Sequence, residues 1–200
     1  MAREFRFDPD RVAYFEAAGW RAYYDRRWPR VTRLMAQLGE GQFHIPAPTS
    51  WLAAYYVARA SIAWAPVDHD EATVRRYLER FYRIARRYSG LRFDPARAAE
   101  LELRYFDDHR RFSGKEDKGE YLETMTALHA ELFGLPPDEA RESAEWRVRA
   151  TATVDRITGK VSTDVEGDWA RAEEELRRCY RSLADRLEAR QGRVARAMAD

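Results

Sequence analysis

Cysteine is almost missing from this chain: Cys179 stands alone among 200 residues. That excludes an intramolecular disulfide framework and any multi-cysteine zinc or iron–sulfur centre. A surplus of charge is missing too. With 35 basic residues against 34 acidic ones the formal net charge is +1, so no global field draws the chain to nucleic acid or to a membrane surface. No internal repeat, low-complexity tract or linker breaks the pattern, so one domain is expected over residues 1–192, with a frayed tail over 193–200. No G-x-S-x-G, phosphate-binding loop or dinucleotide fingerprint occurs. Motifs therefore leave the reaction, and whether the chain is an enzyme, unassigned. The opening MAREFRFDPD is charged and has no apolar centre, so no secretory leader is expected and a reducing cytoplasm is the default.

One long apolar run invites a membrane reading. Between Ile45 and Val67 the only charged residue is Arg59, but Pro46, Pro48 and Pro66 confine a helix to residues 49–65. That falls short of the roughly 20 residues a span needs, and no membrane partner is expected. Its alanines suggest instead a central helix buried on every side.

What is present is helix-forming and globular. The composition is 45% hydrophobic and 13% aromatic, enough apolar surface to offset chain entropy. Asp8-Pro9 and Asp94-Pro95 place a capping carboxylate ahead of a proline at the first helical position. Asp68–Glu71, Asp117–Glu120 and Thr163–Glu166 have capping-box spacing. Gly90, Gly114, Gly134 and Gly192 stand where helices should stop. Apolar stripes follow the helical period, as in Val74, Tyr77, Leu78, Phe81, Ile84, Ala85 and Tyr88. An all-α bundle of seven to eight helices is expected, over 9–27, 29–40, 49–65, 69–89, 95–113, 118–133, 137–158 and 164–191. Trp28-Pro29 either separates or kinks the first two.

Function should show where a helix turns an ionisable group inward. Steps of ~100° per residue put Glu102 and His109 within the apolar arc of 95–113, His129 at the centre of the 118–133 stripe, and Glu16 between Val12, Trp20 and Tyr23. Arg59 lies on the most apolar helix, and Asp155 near Ala144, Val148 and Thr151. Inward carboxylates and imidazoles from different helices are how bundle di-iron sites are built, so iron or manganese at Glu16, Glu102, His109 and His129 is one expectation, with Asp155 as a further carboxylate. Against it, Glu-x-x-His is absent, and Glu102 and His109 are separated by a rise of roughly 10.5 Å. A buried polar network, with Arg59 paired to Glu16 or Glu102, carries more weight. Helix number and chain length are similar to the haem-oxygenase-like bundles, a likeness of architecture that rests on no motif.

Weaker signals have plainer explanations. The arginine run Arg75, Arg76, Arg80, Arg83, Arg86 and Arg87 beside aromatics could contact phosphates, but a solvated face accounts for it and nucleic acid is not expected. Asp68-His69-Asp70 fits capping better than cation binding, and Asp107-Asp108 has no second acidic pair downstream. Two functional expectations stand. The first is a binder of a small molecule or metal, such as a carboxylate/histidine oxidoreductase, using the interior polar groups. The alternative is a non-catalytic interaction or scaffold protein acting through an exposed helix face or a dimer interface, with the 164–191 helix as the contact of a homo-oligomer.

Overall fold

The computed structural model describes residues 5–197. Eight helices form it: α1 (Pro9–Tyr24), α2 (Trp28–Phe43), α3 (Ala47–Trp64), α4 (Glu71–Ser89), α5 (Pro95–Phe112), α6 (Gly119–Phe133), α7 (Pro137–Thr158) and α8 (Val165–Ala197). Among the described residues there is no strand. The all-α expectation holds, with the higher of the two helix counts.

Local chemistry explains the boundaries. Asp8 accepts from the N–H groups of Asp10 and Arg11 at 3.0 and 3.1 Å, and Asp94 from that of Ala96 at 2.9 Å. Each carboxylate thereby satisfies donors that a helix start leaves unpaired. Gly90 and Gly134 end α4 and α6 with φ of 77° and 63°, in the left-handed region that glycine enters without a Cβ clash. Other ends differ from expectation. Arg26, at φ 57°, breaks the chain in a turn after Tyr24. α2 runs through Gly39 and Gly41 to Phe43, and His44 at φ 57° ends it. Asp70, not Asp68, caps α4, accepting from Ala72 N–H at 3.1 Å and the Thr73 hydroxyl at 2.6 Å. Gly192 stops nothing, because α8 continues to Ala197; residues 198–200 of the expected tail lie outside the described residues.

Each helix packs on the one before and the one after it, and α8 closes the circuit on α1. Tyr121, Leu78, Met125, Leu176 and Leu183 are among the largest side chains fully enclosed within it. α2 also touches α4 directly, which leaves α3 lying over their seam. The expected central helix at 49–65 is therefore corrected: α3 is peripheral and has one whole side in solvent. Its buried positions are Ser50, Ala53, Ala54 and Ala60, small enough to bring its backbone close to its neighbours. Its outward positions include Trp51, Leu52, Tyr55 and Ile62, which are 46–65% exposed. A helix apolar on every face need not be buried on every face. No helix among the described residues is long and apolar enough to cross a membrane.

Candidate functional site

Two regions of the fold carry unusual chemistry. The first is a polar cluster in the interior, and its centre is a residue that the sequence reading passed over. Arg147 projects inward from α7, its side chain 12% exposed. One guanidinium nitrogen donates to Glu16 Oε2 on α1 at 2.5 Å and, more weakly, to the Tyr180 hydroxyl on α8 at 3.3 Å. Tyr180 donates to the same Glu16 oxygen at 2.5 Å. Arg147 Nε has no hydrogen-bond acceptor, but the guanidinium lies 4.8 Å from the Trp20 ring centroid and 5.6 Å from that of Tyr105. Cation–π attraction offsets part of that loss.

Glu102 on α5 faces the same cation. Its carboxylate accepts from the buried Tyr82 hydroxyl of α4 at 3.0 Å. Burial raises its pKa, and the charge of Glu16 adds to the rise, while Arg147 and Tyr82 oppose it. Glu16 and Glu102 therefore lie in the field of one arginine, and burial favours the protonated form of Glu102.

His129 on α6 is buried and bonded to Ser143 of α7, Nδ1 to Oγ at 2.8 Å. Ser143 spends its hydroxyl proton on the Ala140 carbonyl at 2.7 Å, so Nδ1 is the donor to Ser143 and the ring is the Nδ1–H tautomer. Burial, with Arg147's charge acting in the same sense, pushes its pKa down to about 3. This histidine is neutral at any ordinary pH.

The remaining expected residues fall elsewhere. His109 Nε2 lies 2.9 Å from Asp155 Oδ1, and Lys118 Nζ lies 3.6 Å from the other oxygen. Burial alone would raise Asp155, but the hydrogen bond and charge of His109, with Lys118, hold it below the ordinary carboxylate range. The pair connects to the interior through rings: His109 stacks on Tyr121, which stacks on Tyr105. Arg59 is corrected outright. It is exposed on α3, its guanidinium 5.3 Å from the Tyr77 ring centroid, and pairs with neither Glu16 nor Glu102. The six expected residues thus sort into Glu16 with Glu102 around Arg147, His129 capped by Ser143, His109 with Asp155, and Arg59 outside.

Among the described residues no group of three or more histidine, cysteine, aspartate or glutamate side chains could hold a metal ion. The iron or manganese expectation loses its ligand set. Asp107 and Asp108 are also committed, the first accepting from Trp64 Nε1 at 2.9 Å and the second from the Thr124 hydroxyl at 2.6 Å. Cys179 is buried, and burial pushes its thiol up to about 12, which leaves it without a thiolate.

The second region is the outer side of α3. Trp51, Tyr55 and Ile62 recur at helical spacing along it, with Leu52 at one edge. Beside it runs a row on α4: Arg76, Arg80, Arg83 and Arg87, all exposed. Arg80 lies over the Tyr56 ring of α3 at 5.6 Å, which ties the row to the edge of the apolar face. Among its described side chains α8 offers no comparable surface. Trp169, Leu176, Tyr180, Leu183 and Leu187 are spent inside, and its outer side carries Arg177 and Arg178 paired with Glu173 and Glu174.

No protein-family model, curated protein or solved structure matches this chain, so the architectural likeness to haem-oxygenase-like bundles gains no support from comparison.

Proposed function

We propose that this chain is a non-catalytic interaction protein and that its working surface is the outer side of α3. One observation carries the proposal: α3 is inverted, with alanine and serine turned to the bundle and Trp51, Leu52, Tyr55 and Ile62 turned to solvent. Reversing those assignments would bury more apolar surface at about 25 cal/mol per Å². A helix that forgoes this gain and keeps its large residues outside, on either side of the exposed Arg59, presents a binding face. Trp and Tyr are also the residues that dominate the centres of protein interfaces.

The expectation of an interior small-molecule or metal site draws less support. Glu16, Glu102, His109, His129 and Asp155 each have a protein partner at hydrogen-bond distance, which is what a structural network requires.

A photo-crosslinking residue at position 55, in cells that make the protein natively, tests the proposal. Irradiation should give one discrete adduct that disappears when Leu52 and Ile62 become serine. The same probe at Tyr14, an exposed aromatic on α1, should give none. Equal adducts at both positions, or no adduct at 55, would sink the interaction reading.

A further inference from the structure

Resting on that interaction reading, we propose that the partner presents an acidic amphipathic helix, laid lengthwise along α3. Its apolar face would cover Trp51, Tyr55 and Ile62, and its carboxylates would meet Arg76, Arg80, Arg83 and Arg87 of α4.

Register supports this occupant. The ends of Trp51 to Ile62 and of Arg76 to Arg87 are each eleven positions apart, about 16 Å of helix. The contacts Tyr56–Arg80 and Arg59–Tyr77 show α3 and α4 running antiparallel, with the midpoints of the two rows less than a turn apart. An apolar row and a cationic row of equal length thus lie side by side, and the arginines recur once per turn. A helix with an apolar stripe and one carboxylate per turn at its edge matches both rows at once.

Charge decides against a second copy of this chain. Residues 28–89 hold nine arginines, no lysine and five acidic residues. Of the acids, Glu40 accepts from the Ser50 hydroxyl, Asp70 caps α4 and Glu79 holds Arg83. A twofold pairing of this face would set one arginine rim against another. The choice of arginine points to carboxylates rather than to a bilayer. A fluid anionic surface attracts lysine as well as arginine, whereas here Arg59, Arg80 and Arg87 are laid over tyrosine rings. Fixed planar forks suit carboxylates in a fixed array.

The test uses the full chain and a labelled helical peptide of about 18 residues, with leucine on one face and glutamate along its edge, beside a twin carrying lysine for glutamate. The glutamate peptide should bind at least about tenfold more tightly than the lysine twin, and the Arg76→Glu, Arg80→Glu, Arg87→Glu variant should reverse that preference. Arg80→Gln, which removes a single charge, should weaken the glutamate peptide alone and leave the melting temperature unchanged. Equal binding of both peptides would overturn the proposal. So would co-sedimentation with phosphatidylglycerol vesicles when the glutamate peptide fails to bind, or a dimer in light scattering that Leu52→Ser with Ile62→Ser dissolves. If position 55 gives its adduct but the glutamate peptide does not bind, the partner's chemistry is wrong and the interaction reading survives. If neither is seen, both fall.

Discussion

The interior around Arg147 and the outer side of α3 both violate the rule that charge goes outside and apolar mass inside, and they answer the violation differently. Inside, Glu16 accepts from both Arg147 and Tyr180, while Glu102 feels the charge of the same arginine and accepts from Tyr82. Apart from Arg147 Nε the inversion is met within the chain, and removing the arginine leaves two buried carboxyls without their cation. On α3, Trp51, Leu52, Tyr55 and Ile62 remain half or more in solvent, or nearly so. The difference lies in what each region still needs. A closed inversion serves the fold, whereas an open one serves contact with something else.

The sharpest way to break this comparison is to remove Arg147. Arg147→Met strands Glu16 and Glu102 in the interior, and breaking a buried ion pair from one side costs about 3–5 kcal/mol. In a domain of this size the melting temperature should fall by roughly 10 °C. Adding Glu16→Gln should recover part of the loss, because the stranded charge is then gone. Urea and thermal melts of the three proteins measure both effects. A loss under about 1 kcal/mol would mean that the arginine is not kept for stability, and the interior would become a ligand site again.

His129 sharpens the interior side further. Its folded pKa of about 3 lies below the ordinary histidine value near 6.5. The unfolded chain therefore takes up a proton first as pH falls. The stability held by neutral His129 is complete above about pH 6.5 and drains away as pH drops from there toward 3, by at most about 1.4 kcal/mol per pH unit. Between pH 6.5 and 5 most carboxylates keep their charge, so His129→Gln should flatten the acid side of the stability profile in that window. An unchanged slope would show that His129 is not held neutral in the fold.

How much of this could be read in the sequence depended on whether a local rule was enough. Asp8-Pro9, Asp94-Pro95, Gly90 and Gly134 marked helix ends because capping is settled within four residues. Glu16, Glu102 and His129 were legible as inward because their helices have clear stripes to phase against. Arg147 was legible in principle: at ~100° per residue it falls between Thr151 and Val154 on the buried side of α7. The surface habit of arginine concealed it. Arg59 was misplaced for the opposite reason, since a helix apolar all round offers no polar side from which to read the phase. The pairing of Glu16 with Arg147, 131 residues apart, belongs to assembly of the whole ring of helices and leaves no trace in spacing.

The smallest effects belong to α3, and there the comparison is drawn within one helix. Ala60 is fully buried, and Ile62, two residues on, is 65% exposed. Ala60→Leu adds volume at a position with no exposed surface and should cost about 1–3 kcal/mol through overpacking. Ile62→Gln removes a larger apolar group yet should change stability by less than about 0.5 kcal/mol, because little of that side chain leaves water on folding. Extending the change to Trp51→Gln and Leu52→Gln, each about half buried, should lower the melting temperature by several °C more, because on the order of half the full burial energy of each side chain is lost. The adduct at position 55 should also be lost. A folding contribution and a binding contribution would then have been separated on opposite sides of one helix. If Ile62→Gln alone instead melted as early as Ala60→Leu, the outer side of α3 would be supporting the bundle itself, and the interaction reading would lose the inversion on which it rests.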